Sequence, residues 1–541
     1  MHTIDTEVVV VGCGPVGATM ANLLGLHGVR TIVIERERTE HGEPRAFSCD
    51  DEGLRIYQRA GLADRLRADM VECTYVDYAG VNGQPFAELQ LEGLDFGSGY
   101  GPVNFFYQPK LERVLREALG RFGHVAFEPG QEVTALRQDA DFVTLTVRDR
   151  DNDTTREIRA RYVLGCDGAR STVRQLSGVK LVGTSYEERW LAVSGFAPEH
   201  ALRLLHSRYV CDPGRPTFVG RGAAGDYRME FMLGPDETAE EMERPTTIAT
   251  LVEPYVDPAH LEITRAVVYK FHNVVAERWQ TGRVFLAGDA AHQMPPMMGQ
   301  GLVSGLRDAA NLTGKLSLVL RGAADPSVLS SYETERRPHA KEMADISARV
   351  AALFCTRRRA VALMRDGFFR TIQRIPRVRR FIQHLEFKPA AVFGHGLIAG
   401  GRRRNRKAAE GTLFPQTNVI ASDGNVARLD DLLGTGFTVV GMHADPRLVV
   451  AQCDEVWTRL GTRLVQIVPA GQPIPQAIPG VCHVTDATGK LAAWFQRHGA
   501  QLVIVRPDRY VFAAAPAVQA EHLASVIAEA FPIRTTRERT T

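Results

Sequence analysis

Cysteine is scarce and scattered in this sequence. The 541 residues include eight cysteines, and no two of them form a Cys-x-x-Cys pair. Such pairs are typical of zinc sites and redox motifs, and regularly spaced cysteines in short secreted chains are typical of disulfide frameworks. We therefore expect neither a metal site nor a disulfide framework, and we expect a protein of the reducing cytoplasm.

Long apolar runs and an excess of either charge are also absent. No stretch approaches the uninterrupted apolar length that a membrane helix needs, and the first residues lead into a strand without the basic leader of a secretion signal. The net charge of +2 gives no reason to expect nucleic acid or an anionic membrane as a partner. With 44% hydrophobic and 24% charged residues, the chain has a globular composition, and its length predicts two or three domains.

A dinucleotide-binding unit is predicted at the N-terminus. The β-branched run from Glu7 to Val11 is followed by Gly12, Gly14 and Gly17, by a helical pattern and by a second strand that ends on Glu35. Glycine is needed where the turn is tight and where backbone approaches a pyrophosphate, and the helix N-terminus offers its N–H groups to the phosphates. The acidic residue accepts hydrogen bonds from ribose hydroxyls. This unit predicts a site for ADP, which FAD and NAD share.

Two further apolar strands end on aspartate, at Asp167 and Asp289. They lie in "YVLGCDGARSTVR" and "RVFLAGDAAHQMPPMMGQG". A carboxylate at the end of a buried strand is costly unless it accepts hydrogen bonds. Three acidic strand ends spread over this much chain indicate one elongated ligand, which favours FAD over NAD.

The motifs together resemble the class A flavoprotein monooxygenases, the family of para-hydroxybenzoate hydroxylase and phenol hydroxylase. The resemblance rests on Gly12-x-Gly14-Pro15-x-Gly17 with Glu35, Asp167-Gly168-x-x-Ser171-x-x-Arg174, Gly288-Asp289-Ala290-Ala291-His292, Pro295, Gly299-Gln300-Gly301 and the run from Arg307 to Leu316. The stretch from Pro44 to Leu62 and the C-terminal extension are most similar to the 3-(3-hydroxyphenyl)propionate hydroxylases of this family.

The resemblance implies an α/β fold with an FAD-binding Rossmann-like (GR2-type) domain, an inserted mixed-sheet substrate domain and a C-terminal thioredoxin-like domain. The expected boundaries are 1–180 and 276–400 for the two parts of the FAD-binding domain, 181–275 for the substrate domain and 411–541 for the tail. The basic run 401–407 is interpreted as a linker. In the tail, "HADP" stands where a thioredoxin places Cys-x-x-Cys, so we expect no dithiol redox role.

The resemblance also implies which residues bind FAD. Asp289 would accept from the ribityl chain, and the turn from Gly299 to Val303 would run beside the isoalloxazine ring. Many relatives have Asn where this chain has Val303, and His292 is expected to orient local structure. The predicted cofactor set is Gly12, Gly14, Pro15, Val16, Gly17, Glu35, Arg36, Arg45, Gln108, Val133, Asp167, Gly288, Asp289, Pro295, Gly299, Gln300, Gly301, Leu302 and Val303.

The middle of the chain has aromatic and β-branched strands that, in the family, form a wall over the flavin. The predicted substrate-binding residues are Tyr186, Arg228, Tyr269, His272 and Met297. Three more side chains, Trp190, Arg215 and Phe231, are candidates for the same wall. No catalytic residue is assigned from the sequence.

The resemblance implies ortho-hydroxylation of a phenol with NADH or NADPH and O2, through a flavin C4a-hydroperoxide. The implied substrate is a hydroxyphenylpropionate-type compound in aromatic degradation. No second Gly-x-Gly-x-x-Gly is present, so the nicotinamide cofactor is expected to bind transiently. A larger polyketide phenol, or a non-catalytic FAD-fold binding protein, are the alternatives. The four tryptophans lack the paired spacing typical of flavin halogenases. A homodimer is compatible with the resemblance.

Overall fold

The computed structural model describes residues 3–39, 45–388, 392–400, 408–451, 453–472 and 478–532. The predicted linker 401–407 lies outside these residues. The strands are β1 (Thr3–Val11), β2 (Thr31–Glu35), β3 (Ser48–Asp50), β4 (Met70–Glu72), β5 (Tyr75–Ala79), β6 (Pro85–Gln90), β7 (Val103–Phe106), β8 (Val125–Pro129), β9 (Gln131–Gln138), β10 (Val143–Asp149), β11 (Thr155–Gly165), β12 (Leu181–Phe196), β13 (Ser207–Val210), β14 (Thr217–Arg221), β15 (Asp226–Met232), β16 (Glu262–Ala276), β17 (Gln280–Thr281), β18 (Val284–Leu286), β19 (His292–Gln293), β20 (Asn418–Ala421), β21 (Val426–Arg428), β22 (Thr438–Met442), β23 (Arg463–Pro469), β24 (Val481–Asp486), β25 (Leu502–Val505) and β26 (Val511–Ala515). The helices are α1 (Pro15–Leu26), α2 (Asp51–Arg59), α3 (Ala63–Arg67), α4 (Gln108–Glu117), α5 (Thr172–Leu176), α6 (Ala239–Met242), α7 (Pro245–Val252), α8 (Gln300–Leu320), α9 (Ser331–Phe354), α10 (Arg359–Ile372), α11 (Pro376–Gln383), α12 (Leu429–Leu433), α13 (Arg447–Val450), α14 (Asp454–Leu460), α15 (Lys490–His498) and α16 (Ala520–Ala530).

The first sheet is built around β1, whose residues Val8 to Val10 are fully buried. Its order is β17-β18-β11-β1-β2-β8, with β10 and β9 continuing from β11. β1 pairs in parallel with β2 and with β11, and β11 pairs in parallel with β18. Because parallel strands have their carboxyl ends at one edge, the residues that follow β1, β2, β11 and β18 meet there. This edge places Gly12, Glu35, Asp167 and Asp289 on one side of the sheet.

The second sheet has eight strands in the order β19-β16-β12-β15-β14-β13-β5-β6. β5 and β6 belong to the first predicted part of the FAD-binding domain (1–180), and β19 belongs to its second predicted part (276–400). The sheet therefore contains strands from outside the predicted substrate domain (181–275). Along β15 every residue is buried, and the side chains alternate between two faces. Tyr227, Met229 and Phe231 pack in the core beneath α6 and α7, while Arg228 and Glu230 point to the opposite face.

The C-terminal region has an α/β structure built around a sheet of its own, as expected. Its sheet has the order β21-β20-β24-β23-β22-β25-β26, in which β22, β23 and β24 are parallel and the β25–β26 hairpin is antiparallel. Alternate residues of the strands feed two cores: Val439 and Ile504 lie in the one that includes α14 and α16, and Val440 and Val503 lie in the one that includes α12 and α15. All eight cysteines of the chain are free thiols.

A buried ion network joins this C-terminal layer to α8 and α9. Arg506 donates two hydrogen bonds to the Glu335 carboxylate, both of 2.8 Å, and the Lys315 ammonium lies 2.6 Å from the same group. Burial alone would raise the pKa of Glu335, but the charges of Arg506 and Lys315 hold it well below its usual range. Glu335 is therefore the shared anion of a network that fixes the tail against the rest of the chain.

Replacing Glu335 with alanine should destabilise the protein strongly. Removal of one partner leaves buried cations without their counter-charge, which costs about 3–5 kcal/mol. The matched control is Asp64→Ala, which removes a tail contact of the exposed kind: Asp64 lies 3.3 Å from Arg428 and its side chain is 80% exposed. That loss should stay below about 1 kcal/mol. Urea titrations of both variants measure the difference, and equal losses would contradict the assignment.

Candidate functional site

A cavity of about 2080 Å³ extends from the carboxyl edge of the first sheet to the inner face of the second. Ordinary small-molecule pockets measure about 300–1,000 Å³. One end is lined by the glycine loop after β1, the middle by Asp289 and the start of α8, and the other end by aromatic side chains of the second sheet. The cavity therefore has room for a dinucleotide and a second molecule.

The glycine loop fits a pyrophosphate. Gly12 has a φ of +95°, and a Cβ on it would lie 2.6 Å from the Cys166 carbonyl oxygen. A Cβ on Gly17 would lie 1.9 Å from the Gly12 carbonyl oxygen, so Gly17 permits the helix to pack on the loop. Gly14 differs, because a Cβ there would meet no atom within 4 Å. Gly14 faces the cavity and precedes α1, whose N-terminus has no side-chain cap. Its N–H groups are available to an anion.

Glu35 and Arg116 hold the glycine loop from the other side. Glu35 Oε2 accepts a hydrogen bond of 2.7 Å from the Cys13 N–H, and Arg116 Nε donates one of 3.0 Å to the Cys13 carbonyl. Both residues line the cavity. The guanidinium of Arg116 adds a positive charge beside the loop, which suits phosphate. Sequence reasoning missed Arg116, because no local pattern marks this residue of α4 as a neighbour of β1.

Gln108 positions the segment that carries Arg45. Its side-chain oxygen accepts hydrogen bonds of 2.7 Å from the backbone N–H groups of Arg45 and Ala46, and its Nε2 donates one of 2.6 Å to Glu112. Gln108 and Arg45 both line the cavity. Gln108 thus shapes the wall through the backbone, in addition to any contact with a ligand.

Asp167 organises its own turn. Its carboxylate accepts from the Ser171 hydroxyl and, at 3.0 Å, from the Val173 N–H. Burial raises the pKa of Asp167. Arg174 donates to the carbonyls of Ala169 and Ala290, at 2.9 and 3.1 Å, and so ties this turn to the one that carries Asp289. The second and third acidic motifs are therefore one connected structure at the cavity wall.

The Asp289 carboxylate faces the cavity and makes no hydrogen bond within the residues the structure describes. Its recessed position raises its pKa, which His292 and Arg45 only partly offset. Nor does it cap the short helix over 288–290 in which it lies. An acceptor directed into a cavity without a protein donor fits a ligand rich in hydroxyl groups, as the ribityl chain of FAD is.

His292 has a different environment. It is buried, its Nε2 lies 2.8 Å from Asp308, and its ring stacks on Trp279. The Asp308 carboxylate also accepts from the Gly288 N–H at 3.0 Å and from Arg336 at 3.0 Å. His292 thus orients the turn from inside the protein and does not reach the cavity.

The N-terminus of α8 points at the cavity. Gly299 has a φ of +62° and begins the helix without a side-chain cap, and Gln300, Gly301 and Leu302 line the cavity wall. A 21-residue helix carries the positive end of its dipole there. Unpaired N–H groups and that dipole suit an electron-rich edge such as the flavin N1–C2=O edge. Together with the glycine loop and Asp289, these residues fit FAD along its length.

Four residues of the predicted cofactor set do not line the cavity. Gly17 lies inside the helix–loop contact, and Gly288 packs against the Val16 side chain, which a Cβ would approach to 3.1 Å. Val303 is fully buried on the inner face of α8, and Pro295 lies outside the cavity, at the start of the turn 296–298. These positions shape the wall from behind. The other fifteen predicted residues line the cavity: Gly12, Gly14, Pro15, Val16, Glu35, Arg36, Arg45, Gln108, Val133, Asp167, Asp289, Gly299, Gln300, Gly301 and Leu302.

The far end of the cavity is aromatic, with a small polar group in it. Tyr78 and Tyr209 stack at 5.0 Å between ring centroids, and Tyr209 packs on Phe218. α10 and α11 close this end with several apolar side chains, among them Phe369, Ile372, Phe381 and Ile382. The polar group consists of Arg228, Glu230, Arg265 and Tyr269.

Of the predicted substrate residues, Arg228, Tyr269, His272 and Met297 line the cavity. The side chain of Tyr186 lies outside the described part of the chain. Three wider candidates do not line the cavity. Phe231 lies in the core on the other face of the sheet, Trp190 is buried beside Met297, and Arg215 pairs with Glu237. Glu230 and Arg265 were missed, although the alternation along β15 places Glu230 on the same face as Arg228.

Two family models match this chain. A family model described as "FAD binding domain" matches residues 5–347, well over half of the chain, and one described as "HcaD C-terminal domain" matches residues 411–530. The chain belongs to the FAD-dependent monooxygenase family. FAD is therefore its cofactor, and the cavity described above is where this family's cofactor fits.

Individual relatives agree over nearly the whole length. The chain is 41% identical to a 3-(3-hydroxy-phenyl)propionate/3-hydroxycinnamic acid hydroxylase of Burkholderia cenocepacia (strain HI2424), covering 94% of this chain and 93% of that one. A protein of the same name from Mycobacterium sp. (strain JLS) is 37% identical, with 97% and 91% covered. The crystal structure of the flavin-dependent monooxygenase PieE in complex with FAD and substrate superimposes with a TM-score of 0.78 at 23% identity, over 98% and 99% of the chains, which shows a shared fold. None of the helices that the structure describes has the length and apolarity of a membrane span.

Proposed function

We propose that this monooxygenase uses NADH or NADPH and O2 to hydroxylate a phenolic acid of the hydroxyphenylpropionate type, ortho to its hydroxyl group. The overall reaction converts the phenol, O2, NAD(P)H and a proton into a catechol, NAD(P)⁺ and water. The names of the relatives at 37–41% identity support the substrate class.

The observation that carries the proposal is the polar group at the aromatic end of the cavity. Arg228 and Arg265 both contribute guanidinium groups there, and Arg228 Nε donates a hydrogen bond of 2.8 Å to Glu230. Guanidinium groups within an aromatic wall suit an aromatic ring that carries a carboxylate, because they form charge-assisted hydrogen bonds with carboxylates. We infer that Arg265 receives the substrate carboxylate.

The residues of the chain place and shield the reactants. Bound FAD supplies the redox chemistry and the activation of O2. Asp289 and the N-terminus of α8 would hold it so that its electron-rich edge meets backbone N–H groups. α10 and α11 would exclude water from the aromatic end, where Tyr209 anchors the wall by donating a hydrogen bond to the Met297 carbonyl at 3.2 Å. Exclusion of water favours hydroxylation over release of hydrogen peroxide.

A substrate panel tests the proposal. Wild-type enzyme should oxidise NADH faster with 3-(3-hydroxyphenyl)propionate than with its amide or with 3-methylphenol, by about tenfold in kcat/KM, because a charge-assisted hydrogen bond contributes about 1.5–3 kcal/mol. Arg265→Met should remove most of this preference. The proposal fails if no phenolic acid stimulates NADH oxidation, or if acid and amide react equally well and give no catechol.

The second candidate is a larger polyketide phenol. The cavity of about 2080 Å³ also includes the cofactor region, so the observation that favours a larger substrate is the extent of the aromatic end, which side chains of the second sheet, α10 and α11 line. A polycyclic phenol in the same panel distinguishes the two, because it should outcompete the phenylpropanoid acid only if the large cavity is used in full. A homodimer stays a prediction, which the solution mass would test.

A further inference from the structure

The outward side of α10 and the turn that follows it carry a group of exposed apolar side chains. Met364 and Phe368 are 75% and 60% exposed, although large apolar side chains usually lie inside a protein. Val361, Met364 and Phe368 are three and four residues apart, so they share one side of the helix. The exposed apolar residues of this segment include Val361, Leu363, Met364, Phe368 and Ile375. Grouped apolar exposure of this kind indicates an interaction surface.

Arginines lie among these apolar residues. The segment 357–380 contains nine arginines and a single carboxylate, Asp366. Asp366 is buried and pairs with Arg365, and the nearby carboxylates of Glu88 and Glu386 lie beside only two of the other arginines. Six exposed arginines of the segment are Arg358, Arg359, Arg370, Arg374, Arg377 and Arg380. The net charge of +2 for the whole chain therefore hides a strong local excess of positive charge.

α10 and α11 lie along β6, which is the last strand of the second sheet. From α10, Arg370 donates a hydrogen bond of 3.3 Å to the Gln84 carbonyl, and from α11, Gln383 donates one of 2.7 Å to Glu88 on β6. The inner sides of both helices line the aromatic end of the cavity, so their other sides point away from it. The five apolar residues and the six arginines therefore belong to one outward surface, the α10–α11 surface.

We propose that the α10–α11 surface binds an anionic lipid bilayer peripherally, with its apolar side chains among the lipid chains and its arginines on the phosphate headgroups. An anionic bilayer offers an apolar layer and a uniform negative charge together, which satisfies both kinds of exposed side chain. A second copy of the chain would instead set the arginines of two identical surfaces against each other. The association goes beyond the proposed function, and it brings the aromatic end of the cavity next to the bilayer, where apolar phenols concentrate.

Vesicle flotation of the holoenzyme tests the contribution of charge. Wild type should bind vesicles of equal parts phosphatidylglycerol and phosphatidylcholine but not pure phosphatidylcholine, and added NaCl should weaken the binding because it screens exposed charges. The Arg374→Gln/Arg377→Gln variant should bind about 25-fold more weakly, since each basic residue at an anionic surface contributes about fivefold, or about 1 kcal/mol. The matched control is Arg30→Gln/Arg137→Gln, whose side chains are 65% and 68% exposed at the first sheet. It should bind like wild type.

Tryptophan fluorescence tests insertion of the apolar side chains. With anionic vesicles, the emission that Phe368→Trp adds to that of wild type should shift to shorter wavelength, and lipids brominated on their acyl chains should quench it. The matched control is Val518→Trp, because Val518 is 91% exposed in the C-terminal region, and its added emission should not change. The Met364→Ser/Phe368→Ser variant should bind at least about tenfold more weakly, since each buried CH2 group contributes about fourfold.

The basic run 401–407 is another cationic stretch that lipid could attract. Arg402→Gln/Arg403→Gln/Arg404→Gln should keep most of the vesicle binding, and a loss confined to this variant overturns the proposal. Failure of wild type to bind anionic vesicles, or binding without any change in the Phe368→Trp emission, overturns it too. If Phe368→Ser instead converts a dimer into a monomer and lipid does not bind, the surface is an interface between copies. These measurements need no turnover, so they do not depend on whether a phenolic acid is hydroxylated.

Discussion

Gly14→Val should lose FAD and still fold. Gly14 has a φ of −71°, which valine adopts, and a Cβ at this position meets no protein atom within 4 Å. The valine methyl groups would instead occupy the cavity in front of the α1 N-terminus. Each charge-assisted hydrogen bond to a phosphate contributes about 1.5–3 kcal/mol, so the loss of two would weaken FAD binding by about 10²- to 10⁴-fold.

The comparison must be made with the apo form of the wild type, because bound FAD raises the melting temperature by mass action. Gly14→Val should have the same melting temperature as apo wild type, and it should show little visible absorbance after purification. Gly17→Val is the contrasting variant, since a Cβ there would lie 1.9 Å from the Gly12 carbonyl oxygen and should impair folding itself. A folded Gly14→Val protein with full flavin content would falsify the pyrophosphate position.

The parts of the site that could be predicted from the sequence are those with local patterns. The run from Glu7 to Glu35 contains strand, glycines, helix and acid in one continuous stretch, and the structure forms β1, α1 and β2 from it. Asp289 could be predicted because it ends an apolar strand, where a carboxylate is costly unless it accepts hydrogen bonds. In both cases the chemistry and the backbone conformation are encoded within about one supersecondary unit.

Other parts depend on contacts between distant segments. Arg116 reaches the glycine loop from α4, and Glu230 meets Tyr269 only because β15 and β16 both pair with β12. Nothing in the sequence near these residues indicates their partners. The strands β5 and β6 join the second sheet through the parallel pairing of β13 with β5. Such pairings are set by the packing of whole sheets.

The same reasoning explains why some of the predicted side chains do not line the cavity. Phe231 and Arg228 belong to one short strand, and the period of two places their side chains on opposite faces. Composition cannot tell which face is the cavity. Val303 follows three residues that line the cavity, yet the turn of α8 directs it into the core. A motif identifies a segment, whereas the backbone geometry decides which side chains of that segment reach the ligand.

Asp289→Ala should weaken FAD binding by about ten- to hundred-fold, because it removes a charge-assisted acceptor worth about 1.5–3 kcal/mol. The carboxylate has no donor within the described residues, so a ligand hydroxyl is the partner it lacks. Without this contact, the flavin ring would be held less firmly. Resaturated Asp289→Ala should therefore release more hydrogen peroxide per NADH than wild type. Asp289→Asn retains an acceptor oxygen and should fall between the two.

The melting temperature of the apo form distinguishes this role from a structural one. In the apo form Asp289 is exposed on the cavity wall and its carboxylate makes no hydrogen bond within the described residues, so its removal should change the free energy of unfolding little. Asp289→Ala should thus melt at nearly the same temperature as apo wild type, whereas loss of a helix cap would destabilise the protein by about 0.5–2 kcal/mol. A lowered apo melting temperature with unchanged FAD affinity and unchanged peroxide release would show that Asp289 acts on the fold and not on the cofactor.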